Sequence, residues 1–208
     1  MTDISRQVQA AYDQIVLAYA DRNHGTMAGN LIALAEQLVQ YAGRGAHLID
    51  VGCGTGRDMA WFEAHGLAVT GIDLSSGMLA YARGQVSGDL LAMDMCHLGF
   101  HNARFDGAWC CASLLHVPKR EASDALGEIR RVLKSDSMLI VSLQEGNGEG
   151  WEFDELLQSA LSRGGCPTIQ FTLPWPKWQF LCHVADHYDL LSRAIIGAAD
   201  RSFHEEMA

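Results

Sequence analysis

The tightest constraint in this sequence is a short apolar run that stops on glycine. His47-Leu48-Ile49-Asp50-Val51 is followed at once by Gly52-Cys53-Gly54-Thr55-Gly56. A run this short and this apolar has the character of a strand buried on both faces. Glycines at alternate positions then let the backbone turn sharply and let a ligand approach the main chain closely. A helical pattern after the turn makes this a strand–turn–helix unit, the opening of an α/β fold.

The rest of the chain alternates in the same way. Residues 67–72, 89–92 and 105–112 read as strands and 76–83 as a helix, which is doubly wound order. Ala122, Ala125, Leu126, Ile129, Val132 and Leu133 share one helical face, and residues 137–143 form a further apolar strand. Two amphipathic helices precede the sheet. Ile4, Val8, Ala11 and Ile15 mark the first, and Leu31, Leu34, Leu38 and Tyr41 mark the second. After residue 144 the pattern predicts a glycine-rich loop over 146–150, a helix over 153–161, strands over 168–173 and 178–184, and a last helix over 187–199. Pro174 and Pro176 favour a turn between those two strands. The expectation is one domain over residues 1–208, with a helical cap over 1–45, a ligand-binding core over 46–145 and substrate-side elements over 146–208.

Composition narrows the partners. The chain has 208 residues, 15 Lys and Arg against 25 Asp and Glu, and a formal net charge of −10. Nothing here supplies the basic stripe that a phosphate backbone requires, and an acidic surface fits poorly on anionic lipid. No apolar stretch reaches bilayer length, and the N-terminus lacks the basic-then-apolar pattern of a leader. The six cysteines, at 53, 96, 110, 111, 166 and 182, do not form the spaced pairs of a disulfide framework. They read as reduced thiols of a cytoplasmic protein. Cys182, His183 and His187 are too few for a closed zinc site.

The glycine loop also discriminates among ligands. A dinucleotide fingerprint places its third glycine three residues after the second, and Arg57 stands there. No Lys-Ser or Lys-Thr pair closes the loop as a phosphate-binding loop demands. A ligand without phosphates matches better. At the end of the next strand, in Gly71-Ile72-Asp73-Leu74-Ser75, a carboxylate stands where it can accept both hydroxyl hydrogens of a ribose. Capping of the following helix is the alternative role for Asp73.

At this point the chain resembles the class I S-adenosylmethionine-dependent methyltransferases. Residues 48–56 are similar to their first motif, 71–75 to their second, Met93-Asp94-Met95 to the adenine segment, and 105–109 and 133–143 to their fourth and fifth strands. The resemblance implies a doubly wound, seven-stranded, mostly parallel sheet whose last strand is antiparallel, with S-adenosylmethionine across the ends of strands one, two and four. It implies Asp50, Gly52, Gly54 and Gly56 along the methionine part, Asp73 on the ribose and Asp94 at the adenine amino group. Leu74 and Met95 would sandwich the ring, and Met78 and Cys110 would complete the cofactor set.

Methyl transfer from a sulfonium is an in-line displacement, in which an enzyme can act mainly by positioning the acceptor. His116 leaves the fourth strand beside the expected methyl position and is the candidate base or substrate contact, with loop packing as the alternative. Tyr12 and Tyr19, seven residues apart on one helical face, either cover the site or pack on the core. His24 in the following loop is a further candidate. Trp151, Trp175 and Trp178 either line an apolar small-molecule pocket or pack at strand edges and turns. A noncatalytic S-adenosylmethionine-binding or regulatory protein of the same fold is the alternative function, and neither the acceptor nor the oligomeric state is legible here.

Overall fold

The structure, a computed structural model, describes residues 2–142 apart from 24, 26 and 28, together with 150–153, 169–172 and 180–183. Helix α1 (Asp3–Arg22) begins where the Thr2 hydroxyl accepts from the Ser5 amide, and ends where the Asn23 side chain donates to the Tyr19 carbonyl. Helix α2 (Gly29–Ala42) buries Leu34, Ala35 and Leu38. Then come β1 (His47–Val51), α3 (Arg57–Ala64), β2 (Ala68–Asp73), α4 (Ser76–Ala82), β3 (Asp89–Ala92) and β4 (Phe105–Cys111). A 3-10 turn (Leu114–His116) leads into α5 (Lys119–Val132), which passes directly into β5 (Leu133–Ser142).

Six strands form the main sheet among the described residues, in the order β3-β2-β1-β4-β5-β8, where β8 is Phe180–His183. All neighbours are parallel except β8, which runs antiparallel to β5 and pairs His183 with Met138. Among the described residues the main sheet thus has six strands where seven were expected. The strand over 168–173 does not join this sheet. As β7 (Ile169–Thr172) it pairs antiparallel with β6 (Gly150–Phe153) in a separate two-stranded ribbon. Gly150 and Phe153, expected in a loop and at a helix start, are strand residues here, because pairing along β7 satisfies their backbone groups. β5 starts at Leu133, earlier than the apolar run over 137–143 and where the resemblance put the fifth strand, since its first residue pairs with Phe105 before the register shifts. The helix expected over 153–161, beyond its first residue, and the one expected over 187–199 lie outside the described residues, as do His24, Trp175, Trp178 and His187.

Two apolar layers sandwich the sheet. Ile49, Val51, Phe105, Ala108 and Cys110 pack on one face against the buried stripe of α5. Leu48, Trp109, Met138 and Ile140 pack on the other with Leu38 of α2 and Met59 and Phe62 of α3. Burying each Leu, Ile or Phe side chain contributes about 1.5–3 kcal/mol, so the two layers dominate the stability. Strand order reverses between β1 and β4. The crevice outside the carboxyl ends at such a reversal is where open α/β sheets hold ligands.

Candidate active site

A cleft opens at that reversal and encloses about 740 Å³, counting the part open to solvent. Its floor is the glycine loop. Gly52 has φ +77°, and a Cβ there would lie 2.2 Å from the Ser113 Cβ. Only glycine fits, for both torsion and space. Gly54 adopts φ +53° beneath the ring of Tyr19.

Asp73, at the end of β2, faces the cleft with both carboxylate oxygens anchored. Oδ2 accepts from the Gly54 amide at 2.9 Å and Oδ1 from the Ser75 amide at 2.8 Å. Burial raises its pKa, and the hydrogen bonds from Ser75, Gly54 and Leu74 oppose that rise. Capping of α4 falls to Ser75, whose hydroxyl accepts from the Met78 amide, which leaves the Asp73 side chain to the cleft. Leu74, Met78, Asp94 and Met95 line the cleft beyond it. The Asp94 carboxylate accepts from the Cys96 amide at 3.0 Å, which fixes its position.

The opposite wall comes from α1 and the segment after β4. Ala112 takes φ +49°, a left-handed turn that costs a non-glycine residue about 1–2 kcal/mol, and it bends the chain out of the sheet. The 3-10 turn that follows carries His116 back over the cleft. There His116 Nε2 and Tyr12 Oη are hydrogen-bonded at 2.8 Å, with the rings edge to face at 5.2 Å. Tyr19 stands edge to face with Tyr12 at 5.7 Å, and burial raises its pKa. Both tyrosines line the cleft, as the seven-residue spacing suggests.

The structure does not bring every expected residue to the cleft surface. Asp50 lies beneath it, 2% exposed. Gly56 turns away, packing against Ala82 and Val86 and lining a separate surface hollow. Cys110 points into the α5 face with its thiol 3.1 Å from the Ser113 hydroxyl, and burial pushes that thiol up to about 11. Its neighbours Cys111 and Ala112 line the wall instead, because side chains alternate along β4. Trp151 stands on β6, paired with Phe171 of β7, and β7 runs beside α1 and the 3-10 turn.

Ser113 and Asp13 escaped the sequence reading, and Met93 was read there only as part of the adenine segment. The Ser113 hydroxyl donates to the Val51 carbonyl at 2.5 Å and so fastens the end of β4 to the end of β1. Met93 lines the cleft from the end of β3. Asp13 accepts from the Ser75 hydroxyl at 2.6 Å and the Gly77 amide at 2.8 Å, which ties α1 to the start of α4. The partners of Ser113 and Asp13 lie more than sixty residues away, as their separations of 62 and 64 record, and no local pattern announces them.

This arrangement defines a Rossmann-like α/β domain with a cleft at the switch point, and known proteins sharpen the class. Residues 49–141 match the methyltransferase domain family. An O-methyltransferase of Aspergillus sclerotiorum, resE, is 38% identical over 109 residues, covering 47% of this chain and 39% of that protein. The chain thus spans about two fifths of the length of the first curated relatives it matches. The crystal structure of the [4+2]-cyclase SpnF is 26% identical, with a TM-score of 0.57, over 69% of this chain and 62% of that one. Magnesium protoporphyrin IX methyltransferase from Synechocystis PCC 6803 shares the fold at 18% identity and a TM-score of 0.60, covering 73% of this chain and 89% of its own. Over residues 49–141 the chain is thus similar to methyltransferase domains, and its fold is the one seen in a methyltransferase with bound S-adenosylmethionine.

Proposed function

We propose that the chain transfers a methyl group from S-adenosylmethionine to a hydroxyl of a small molecule, by in-line displacement. The observation that carries this reading is the Tyr12–His116 hydrogen bond on the cleft wall across from Asp73 and the glycine loop. A base is needed only where the acceptor carries a proton, and an aromatic hydroxyl paired with an imidazole suits an acceptor O–H. The name of the Aspergillus relative agrees with an oxygen acceptor.

The residues fit the cofactor. Gly52 leaves room that any Cβ would fill, Asp73 offers oxygen lone pairs toward the cleft, and Leu74 and Met95 supply apolar surface beside the Asp94 carboxylate. Gly52 and Gly54 would lie along the methionine part, Asp73 would hold the ribose and Asp94 the adenine amino group. S-adenosylmethionine supplies an electrophilic methyl group on a sulfonium. The chain's residues position and deprotonate. Tyr12 relays the acceptor proton, its own proton passing to His116 Nε2, while Val8, Met93 and Val117 exclude water around the acceptor.

The chain is a single unit over 1–208 in this proposal, with 1–45 as cap, 46–145 as core and 146–208 as substrate-side elements that include Trp151. Free thiols at Cys53, Cys96, Cys110 and Cys111 support a reducing, cytoplasmic setting, and the acidic chain supports a small-molecule rather than nucleic-acid partner. Among the described residues no helix is long and apolar enough to cross a membrane.

Transfer of labelled methyl from S-adenosylmethionine to a panel of phenols and enols tests the reading. Tyr12→Phe and His116→Gln should each lower kcat by about 10²–10⁴-fold, the usual size of general-base catalysis, with cofactor affinity little changed. Unchanged kcat in both would remove the relay. Cofactor binding without transfer to any acceptor would favour a second reading, a protein of this fold with another role. SpnF, a [4+2]-cyclase 26% identical to this chain, supports that second reading.

A further inference from the structure

The cleft is built from two halves that lie far apart in the chain. Gly52, Gly54, Asp73 and Asp94, which the proposed function gives to the cofactor, follow or end β1, β2 and β3. His116 stands on the 3-10 turn after β4 and meets Tyr12 of α1. In-line displacement needs the two halves at a fixed separation, since a misplacement of about 1 Å can cost on the order of 10²-fold in rate. Backbone pairing between β1 and β4 does not reach far enough to set it. That ladder stops at Asp50 and Trp109, short of the strand ends at Val51 and Cys111.

Ser113 bridges the gap. The Gly52 amide donates to the Ile72 carbonyl of β2 at 2.8 Å, and in a trans peptide the Val51 carbonyl must then face the other way, toward β4. Val51 is buried, and a buried carbonyl beyond the ladder needs a donor. The Ser113 hydroxyl supplies it at 2.5 Å from a side chain that is itself buried, and the Cys110 thiol stands 3.1 Å from the same hydroxyl. Through its main chain Ser113 reaches the other half, because its carbonyl accepts from the His116 amide at 3.0 Å. One residue thus joins the end of β1, where the glycine loop begins, to the turn that carries His116.

We propose that Ser113 is a positioning residue for methyl transfer, whose hydroxyl bond to the Val51 carbonyl sets the separation between the cofactor half and the acceptor half of the cleft. This rests on the function proposed above. Ser113 acts through Val51 on one side and His116 on the other. Loosening this joint lowers the rate of transfer, while the cofactor contacts at the ends of β1, β2 and β3 stay in place.

The test compares the full chain with Ser113→Ala, which removes the hydroxyl, and Ser113→Cys, which keeps the reach with a weaker donor. The acceptor is a phenol or enol of the panel above that the parent methylates, and affinity for S-adenosylhomocysteine is read by calorimetry. We expect kcat to fall about 10- to 100-fold in Ser113→Ala and by less in Ser113→Cys. The Kd for S-adenosylhomocysteine should hold, and the pH profile of kcat should keep its shape, because His116 is untouched. A purely structural role would lower Tm and leave the kcat of folded protein alone. Parent-like kcat in the folded variants, a loss confined to the Kd for S-adenosylhomocysteine, or a displaced pH profile would each overturn the proposal. Ser113→Cys decides the matter if Ser113→Ala does not fold. A parent that binds S-adenosylhomocysteine but methylates no acceptor would overturn the proposed function and this proposal with it, whereas a parent that methylates one leaves that function standing whatever the variants show.

Discussion

Gly52 shows how one residue can be set by two demands at once. Its positive φ strains any side chain, and the Ser113 side chain occupies the place of a Cβ at 2.2 Å. Gly52→Ala should therefore cost about 1–2 kcal/mol from the left-handed torsion, with the displacement of Ser113 adding to it. Denaturant titration would measure the loss, and calorimetry should show cofactor affinity falling with it. A variant as stable as the parent would mean that the loop relaxes away from Ser113. The glycine itself was evident from sequence. The Ser113 contact was not, since it depends on how the chain returns after β4.

At the scale of elements, α1 is the part whose position matters most. The helix supplies Ser5, Val8, Tyr12 and Tyr19 to the cleft, and Asp13 secures it to Ser75 and Gly77 at the start of α4. Gly77 is small for the same reason, because a Cβ there would meet Val16 at 2.9 Å and Asp13 at 3.1 Å. Charge-assisted hydrogen bonds of this kind contribute about 1.5–3 kcal/mol. Asp13→Ala should cost that much in stability, raise hydrogen exchange along α1 and weaken cofactor binding, because Ser75 also anchors Asp73. Unaltered exchange in α1 would show that apolar packing of Ile15 on Met78 suffices to hold it. The heptad spacing of Tyr12 and Tyr19 marked one face of this helix in the sequence. Which surface that face meets was settled only by the fold.

For the molecule as a whole, ligand linkage gives the broadest check. S-adenosylhomocysteine at one hundred times its Kd should stabilise the native state by about 2.7 kcal/mol. For a chain of this size that corresponds to a rise in Tm of roughly 5–11 °C. Thermal unfolding monitored by fluorescence would read it, and a Tm unmoved by saturating ligand would contradict the assignment of the cleft.

The sequence by itself determined the α/β alternation, the glycine turn after β1, and the acids at the ends of β1, β2 and β3. These features are local, because strand runs, helical faces and tight turns are written in near-neighbour chemistry. Only the tertiary structure decided that Tyr12 meets His116 across 104 residues, that Cys111 rather than Cys110 faces the cleft, and that β6 and β7 leave the main sheet to pair with each other. Those outcomes depend on register, on the hand of a single bend at Ala112 and on which strand edge is available. The free energy of each is shared between segments far apart in the chain, so no window of sequence contains it.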